Sequence, residues 1–255
     1  MTTFLICLFA GLGAGLGTGF AGMSAAAVIS PMLIAFLGIE PYQAIGIALA
    51  SDVLASAVSA YTYGKNKNID VKNGLVMMVS VLIFTFVSSY LSSFVSGSTM
   101  GGFSTFITML LGVKFIIKPV MTTKENMSAV DPKKRMIQSV LCGTVIGFIC
   151  GFFGAGGGMM MLLLLTSVLG YELKTAVGTS VFIMTFTALT GSLSHFAIGG
   201  MPDLAVLVLC ALFTLLFARI AALFANKAPA IVLNRATGVV LFVLGLAIVL
   251  VQYVF

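Results

Sequence analysis

The chain alternates long hydrophobic segments with short polar stretches. Unbroken apolar runs such as Val76–Val87 and Val239–Val251 lack the period-two alternation of a barrel strand and suit helices, which satisfy their own backbone groups in lipid. Stretches of about 20 apolar residues, enough to cross a bilayer, predict helical segments at 3–38, 42–63, 73–95, 100–118, 136–170, 175–197, 202–224 and 230–254. The pattern predicts an all-α polytopic membrane protein.

Two of these segments, 3–38 and 136–170, are too long for one crossing. A helix of about 35 residues would span about 52 Å, whereas the hydrocarbon core is about 30 Å thick. Glycine clusters at Gly19–Gly22 and Gly154–Gly158 interrupt them. We therefore expect each long segment to consist of two shorter helices joined by a glycine break.

The two halves of the chain match when one is shifted by 132 residues. Gly11, Gly15, Gly19, Phe20 and Gly22 fall on Gly143, Gly147, Gly151, Phe152 and Gly154 without a gap. Leu37, Gly38, Glu40, Ala44 and Gly46 fall on Leu169, Gly170, Glu172, Ala176 and Gly178. We interpret this as a duplication: a first repeat at 1–118, a linker at 119–135 and a second repeat at 136–255. Each repeat is a glycine-broken helix pair plus three transmembrane helices, and the two together form one transport domain.

Composition supports the membrane assignment. Hydrophobic residues make up 60% of the chain and charged residues 8%, whereas a soluble domain carries about 25% charged residues. This excludes a soluble enzyme and a nucleic-acid-binding domain. The net charge of +6 is then a topology signal, because Lys and Arg gather in cytoplasmic loops.

The basic residues also bear on the orientation of the repeats. If each broken segment crosses once, the repeats are parallel and the basic loops divide between the two sides. If each enters and returns, the repeats are inverted, the loop Lys and Arg share one side, and Glu40 and Asp203 lie on the other. The positive-inside rule favours the inverted arrangement, with a cytoplasmic linker and both termini outside.

The glycine breaks are the main candidate site. A break in lipid must pack on protein or line a cavity. The helices that resume near Ser24 and Gly158 expose N–H groups and the positive end of the helix dipole, which favour an anion. The predicted substrate-binding residues at the breaks are Gly22, Ser24, Gly156, Gly157 and Gly158.

Asp52 is the acidic residue in the interior of an apolar segment. Such residues are costly in lipid and usually mark an ion or proton path, so we expect Asp52 to carry a coupling proton. The alternative is a neutral Asp52 hydrogen-bonded to Ser51, Ser56 or Ser59. Hydroxyls that follow the matched glycines, Ser51 in the first repeat and Thr179 and Ser180 in the second, are further candidates for substrate binding.

The remaining polar chemistry is sparse. The four cysteines lie inside apolar runs without metal-ligand spacing, so we interpret them as packing residues. One histidine and no catalytic motif argue against an enzyme, and we expect neither a metal nor a cofactor.

The doubled glycine-rich run followed by L-G-x-x-x-x-x-A-[IV]-G, at Leu37–Gly46 and Leu169–Gly178, resembles the TauE/SafE family of sulfite and organosulfonate exporters, within the toluene-sulfonate uptake permease group. The second half, with FFGAGGG and AVGTS, matches closely. The first has Gly22-Met23-Ser24 where a fuller glycine run is usual, and Pro31 has no counterpart at Leu163. The resemblance implies a multi-pass protein of the bacterial plasma membrane that moves small sulfur-containing or carboxylate anions with the proton gradient.

We therefore expect a secondary transporter of a small anion that works by alternating access. The alternative is an uncoupled anion channel that uses the same cavity. Sodium is as compatible with the sequence as a proton for the coupling ion. The expected partners are the anion, the coupling ion and membrane lipids, and a homo-oligomer is compatible with the sequence.

Overall fold

The computed structural model of the protein describes residues 2–92, 109–110, 112–128, 131–153 and 157–253. This part of the chain is helical and contains no strand. The helices are α1 (Thr2–Ala21), α2 (Ala26–Leu37), α3 (Pro41–Lys65), α4 (Val71–Ser92), α5 (Lys124–Ser128), α6 (Pro132–Phe153), α7 (Gly157–Ser167), α8 (Leu173–Gly199), α9 (Leu204–Lys227) and α10 (Ala230–Tyr253). Six of them, α1, α3, α4, α8, α9 and α10, are long and apolar enough to cross a membrane.

The first overlong segment is broken at glycine, as the sequence predicts, and the second forms two separate helices on either side of residues 154–156, which are not among those that the structure describes. The first ends as α1 at Ala21 and resumes as α2 at Ala26, while the second ends as α6 at Phe153 and resumes as α7 at Gly157. Both resuming helices are short, at 12 and 11 residues. The candidate Gly156 and most of the predicted segment 100–118 lie outside the described residues.

The linker is more helical than the sequence indicates. Its middle forms α5, and α6 begins at Pro132 instead of 136. Pro is favoured in the first turn of a helix because its missing N–H would have no partner there. The charged stretch that follows Pro132 therefore extends the apolar helix by one turn.

The local structure is compatible with a duplication. Gly38 and Gly170, which are 132 residues apart, follow α2 and α7 with φ angles of 63° and 64°. Only a residue without Cβ adopts this left-handed conformation readily. Glu40 and Glu172, also a matched pair, precede the first turns of α3 and α8. In both halves, a glycine follows the short helix and a glutamate precedes the next long helix.

Helices α3 and α8 cross in antiparallel fashion. Near the end of α3, the Cβ of Tyr63 lies 2.9 Å from where a Cβ on Gly178 of α8 would stand. Near its beginning, a Cβ on Gly46 would stand 3.3 Å from the Cβ of His195. The shift of 132 residues matches Tyr63 with His195 and Gly46 with Gly178, so it turns one contact into the other. The crossing is compatible with an inverted repeat, which stays a prediction.

Glycine faces hold the outer helices together across the repeats. The first helix of each repeat packs on the fourth helix of the other, α1 on α9 and α6 on α4. A Cβ on Gly11, Gly15 or Gly19 would stand 2.5–2.7 Å from atoms of α9. A Cβ on Gly143 or Gly147 would stand 2.7 or 2.6 Å from a carbonyl oxygen of α4. The glycine spacing therefore serves close helix packing, as small residues do in membranes.

The two ends of the bundle differ in charge. At the end that we call the basic end, Lys124 Nζ lies 3.1 Å from the carbonyl oxygen of Lys67, and Lys174 Nζ lies 2.9 Å from that of Asn226. At the opposite end, which we call the acidic end, α3 begins after Glu40 and α9 begins after Asp203. This separation agrees with the basic clustering that the inverted arrangement predicts.

Replacing Gly15 tests the glycine contact. Gly15→Ala should lower the thermal unfolding midpoint of the purified protein in detergent, because the new methyl would lie 2.7 Å from the Ala218 nitrogen and the Thr214 oxygen. Overpacking of this kind costs about 1–3 kcal/mol. Gly13→Ala is the matched control, since its Cβ would meet only the methyl groups of Leu244 and Val28, at 3.1 and 3.2 Å. Equal midpoints for both variants would contradict the close approach.

Candidate functional site

The two glycine breaks touch each other. A Cβ on Gly158, in the first turn of α7, would stand 2.6 Å from the carbonyl oxygen of Gly22 and 2.9 Å from the backbone nitrogen of Ser24. No side chain fits between these backbones. Glycine at 158 therefore lets the start of α7 rest directly against the loop that joins α1 to α2.

Hydroxyl groups from several helices bond the carbonyls of the first break. The bonds run from Tyr63 Oη to Gly19 at 2.8 Å, from Thr237 Oγ1 to Phe20 at 3.1 Å, from Ser180 Oγ to Gly22 at 3.0 Å and from Thr18 Oγ1 to Met23 at 2.8 Å. A carbonyl without a partner in lipid costs several kcal/mol. Donors from α1, α3, α8 and α10 thus allow the backbone to leave the helix here.

Asp52, a residue of α3, faces the start of α2. Its side chain is 1% exposed. It accepts hydrogen bonds from Ser24 Oγ at 2.7 Å and Ser56 Oγ at 2.8 Å, and a third from the backbone N–H of Ala25. Ser24 Oγ in turn accepts from the Ala26 nitrogen at 3.3 Å. Ser24 and Ala25, directly before α2, therefore direct their donors at a carboxylate of the same chain, as helix N-termini do toward anions.

The second repeat has different chemistry at the matching place. The counterpart of Asp52 is Met184, whose Sδ lies 2.7 Å from the Cβ position of Gly158 and 3.6 Å from Ser180 Oγ. A thioether carries no charge and is a weak acceptor. The start of α2 thus meets a carboxylate, whereas the start of α7 meets an uncharged sulfur.

The predicted site residues fall into three groups. Gly22, Ser24, Gly158, Ser180 and Asp52 lie together around the two breaks. Gly157 is next to them, with Cys150 Sγ against its Cα. Ser51 and Thr179 turn elsewhere: Ser51 Oγ donates to Ile47 in its own helix at 2.8 Å, and Thr179 Oγ1 accepts from the Asp70 nitrogen at 3.1 Å.

The serine partners of Asp52 are only partly those considered from sequence. Ser56 bonds Asp52, but Ser51 does not, and Ser59 Oγ is buried without a hydrogen-bond partner among the described residues. Ser24 bonds the carboxylate from another helix. A contact between residues 28 positions apart leaves no periodic signal in the sequence.

Sequence reasoning missed the hydroxyl groups that hold the break. Tyr63 is fully buried and bonds Gly19 from 44 residues away. Thr18 and Cys150, a matched pair, each lie beside their own break, so the duplication could have singled them out. Thr237 likewise has an identical counterpart in the sequence, Thr105, whereas Tyr63 is matched by the unlike His195 and has no such signal.

Membrane-length helices surrounding two touching helix breaks and a buried carboxylate have the architecture of a multi-pass membrane transporter. A sequence model of the family described as "Sulfite exporter TauE/SafE" matches residues 7–248. The chain belongs to this family.

Similar proteins occur in bacteria and archaea. The "Probable membrane transporter protein YdhB" of Bacillus subtilis is 23% identical over 222 residues, which cover 87% of this chain and 90% of that protein. YunE of the same organism, named in the same way, is 27% identical over 217 residues, or 77% of this chain and 80% of that protein. MJ0441 of Methanocaldococcus jannaschii, also named a probable membrane transporter protein, is 26% identical over 155 residues, which cover 60% of this chain and 55% of that protein.

Tyr63→Phe tests the bonding of the break. The substitution should lower the thermal unfolding midpoint in detergent, because it leaves the buried Gly19 carbonyl without its 2.8 Å donor and a lost partner of this kind costs about 1–3 kcal/mol. Tyr61→Phe is the matched control, since Tyr61 is on the same helix but 71% exposed. If both variants unfold at the wild-type temperature, the hydroxyl does not stabilise the break.

Proposed function

We propose that the protein is a secondary transporter of a small anion, such as sulfite, an organosulfonate or a related carboxylate, that works by alternating access. The observation that carries the proposal is the contact between the two glycine breaks at Gly22 and Gly158. Discontinuous helices that meet between repeats form the binding sites of many transporters. Membership of a family described as sulfite exporters supports the substrate class.

The anion would bind where the two breaks meet. The candidate donors are the backbone N–H groups around Ser24, Gly157 and Gly158, at the starts of α2 and α7, with Gly156 adjacent in the chain. Gly22 would contact the anion without donating, because its N–H already bonds the Thr18 carbonyl oxygen at 2.9 Å. Ser180 Oγ already reaches the first break, at 3.0 Å from the Gly22 oxygen. Thr179 and Ser51 would join only after side-chain or helix movement, because both hydroxyls now bond elsewhere.

Asp52 is the proposed coupling acid. While ionised, it occupies the donors of Ser24, Ser56 and Ala25 and places a negative charge at the start of α2. A substrate anion would meet both occupied donors and like-charge repulsion there. Protonation removes the charge, so the proton and the anion bind together. This coupling is symport, and the sum of the two gradients decides the direction of net flux.

The proposed orientation places the basic end in the cytoplasm of a bacterial cell and both termini outside, with inverted repeats. The antiparallel crossing of α3 and α8 supports the inversion, and the cluster of Lys67, Lys124 and Lys174 supports the orientation. Exchange of the two repeat conformations would then alternate access to the breaks.

Asp52→Asn tests the coupling. In proteoliposomes with sulfite as substrate, lowering the external pH should accelerate uptake by the wild type, because protonation of Asp52 accompanies anion binding. Asp52→Asn should abolish the gradient-driven component, because the amide resembles the neutral, protonated carboxyl but can neither take up nor release a proton. Radiolabelled sulfite measures the flux, with sulfoacetate, thiosulfate and acetate as competitors.

Asp203→Asn is the matched control for this experiment. Asp203 caps α9 at the acidic end, and asparagine keeps a capping oxygen there, so the gradient dependence should remain. Saturable flux in Asp52→Asn with unchanged pH dependence would remove Asp52 from the coupling. Acceleration by a sodium gradient would make sodium the coupling ion, and large flux without saturation would indicate a channel.

A further inference from the structure

A polar cluster joins the two repeats at the basic end. The loop between α3 and α4 turns at Lys67, with φ of 56°, and inserts Asn68 against the start of α8. The side chain of Asn68 is 4% exposed. The backbone carbonyl oxygen of Asn68 lies where a Cβ on Gly178 would stand, so any side chain at 178 would collide with it. The loop is thus wedged against α8.

Hydrogen bonds hold this loop to α8. Tyr171 Oη donates to Asp70 Oδ2 at 2.7 Å, and the Asp70 nitrogen donates to Thr179 Oγ1 at 3.1 Å. Burial, together with the neighbouring Asp70 carboxylate, raises the pKa of the Tyr171 phenol far above its ordinary value. Tyr171 therefore keeps its proton and remains the donor.

Further bonds join the loop and α8 to the end of α9. Asn68 Nδ2 donates to Asn226 Oδ1 at 2.7 Å, and Lys174 Nζ donates to the Asn226 carbonyl at 2.9 Å. We call the whole cluster the inner latch; it comprises Asn68, Asp70, Tyr171, Lys174, Thr179 and Asn226. Separating α8 from the loop would break the bonds that join Asp70 to Tyr171 and Thr179. Asn226 of α9 bonds both sides, through Asn68 and Lys174, and would have to give up one of the two.

Among the residues that the structure describes, the duplication provides no such latch at the acidic end. The counterparts of Asn68 and Asp70 are Gly200 and Pro202, and those of Tyr171 and Thr179 are Ile39 and Ile47. There, α8 meets α3 through rings: the His195 ring centroid lies 4.2 Å from that of Tyr42, with one hydrogen bond to the Tyr42 backbone. His195 Nδ1 is buried and has no hydrogen-bond partner in the part of the chain that the structure describes. In the described part of the chain, the hydrogen bonds between the α3–α4 loop and α8 at the basic end therefore have no counterpart at the acidic end.

We propose that the inner latch is the gate of the basic side. It holds α8 against the α3–α4 loop while that side is closed, and its bonds break when the side opens toward the helix breaks. The inference rests on the alternating access proposed above. It adds the residues that set the balance between the two access states, and it moves Thr179 from substrate binding to gating.

A cysteine at Ser180 can report opening. Ser180 is fully buried between the first break and the latch, beside Gly22. In a background without Cys7, Cys142, Cys150 and Cys210, a membrane-impermeant maleimide should label Ser180→Cys slowly from the basic side. Adding Tyr171→Phe or Thr179→Val should raise that rate about tenfold, because each removes one hydrogen bond of the closed state only. Size-exclusion profiles verify that each variant is folded.

Tyr42→Phe is the matched control, because it removes a phenol hydroxyl at the other end of the same helix crossing. It should leave labelling from the basic side unchanged. Unchanged labelling in both latch variants would overturn the proposal, and so would an equal rise from the two sides, which indicates general loosening. The assay uses no substrate. A protein that shows the labelling but transports none of the tested anions would therefore contradict the proposed function and not the gate.

Discussion

The need to bond every backbone group inside a membrane constrains this structure more than any other requirement. Two helices stop at glycine in the middle of the bundle, and each exposed carbonyl must find a donor from the protein. Around the first break these donors are the hydroxyls of Thr18, Tyr63, Ser180 and Thr237. Because they come from four different helices, the break determines how α1, α3, α8 and α10 are placed around it.

Close packing provides the frame for this centre. Glycine faces bring α1 onto α9 and α6 onto α4, so each repeat is built into the other. Helices α3 and α8 cross between these pairs, with Gly46 and Gly178 at the two ends of the crossing. In this crossing each glycine meets a ring-bearing side chain, Phe196 at Gly46 and Tyr63 at Gly178. The proposed alternating access would require the two helices to separate at one end while remaining in contact at the other.

The two repeats are alike in backbone and unlike in chemistry. Asp52 faces the start of α2, whereas Met184 faces the start of α7. Asn68 and Asp70 bond the second repeat, whereas Gly200 and Pro202 have no side chains that could do the same. A symmetric protein would bind two equivalent anions and open equally on both sides. The differences at the centre and at one end would give the proposed coupled cycle a preferred resting state.

The sequence by itself determined the membrane class, the two helix breaks and the singular position of Asp52, because these depend on segment length, composition and local glycine content. It did not determine that the breaks touch, that Tyr63 bonds Gly19 or that Thr179 faces Asp70. Those contacts depend on which face of each helix points inward. In lipid both faces are apolar: in α4, Met77 is 1% exposed and Phe86 is 80% exposed. Hydrophobicity therefore cannot distinguish the faces, and only tertiary packing decides between them.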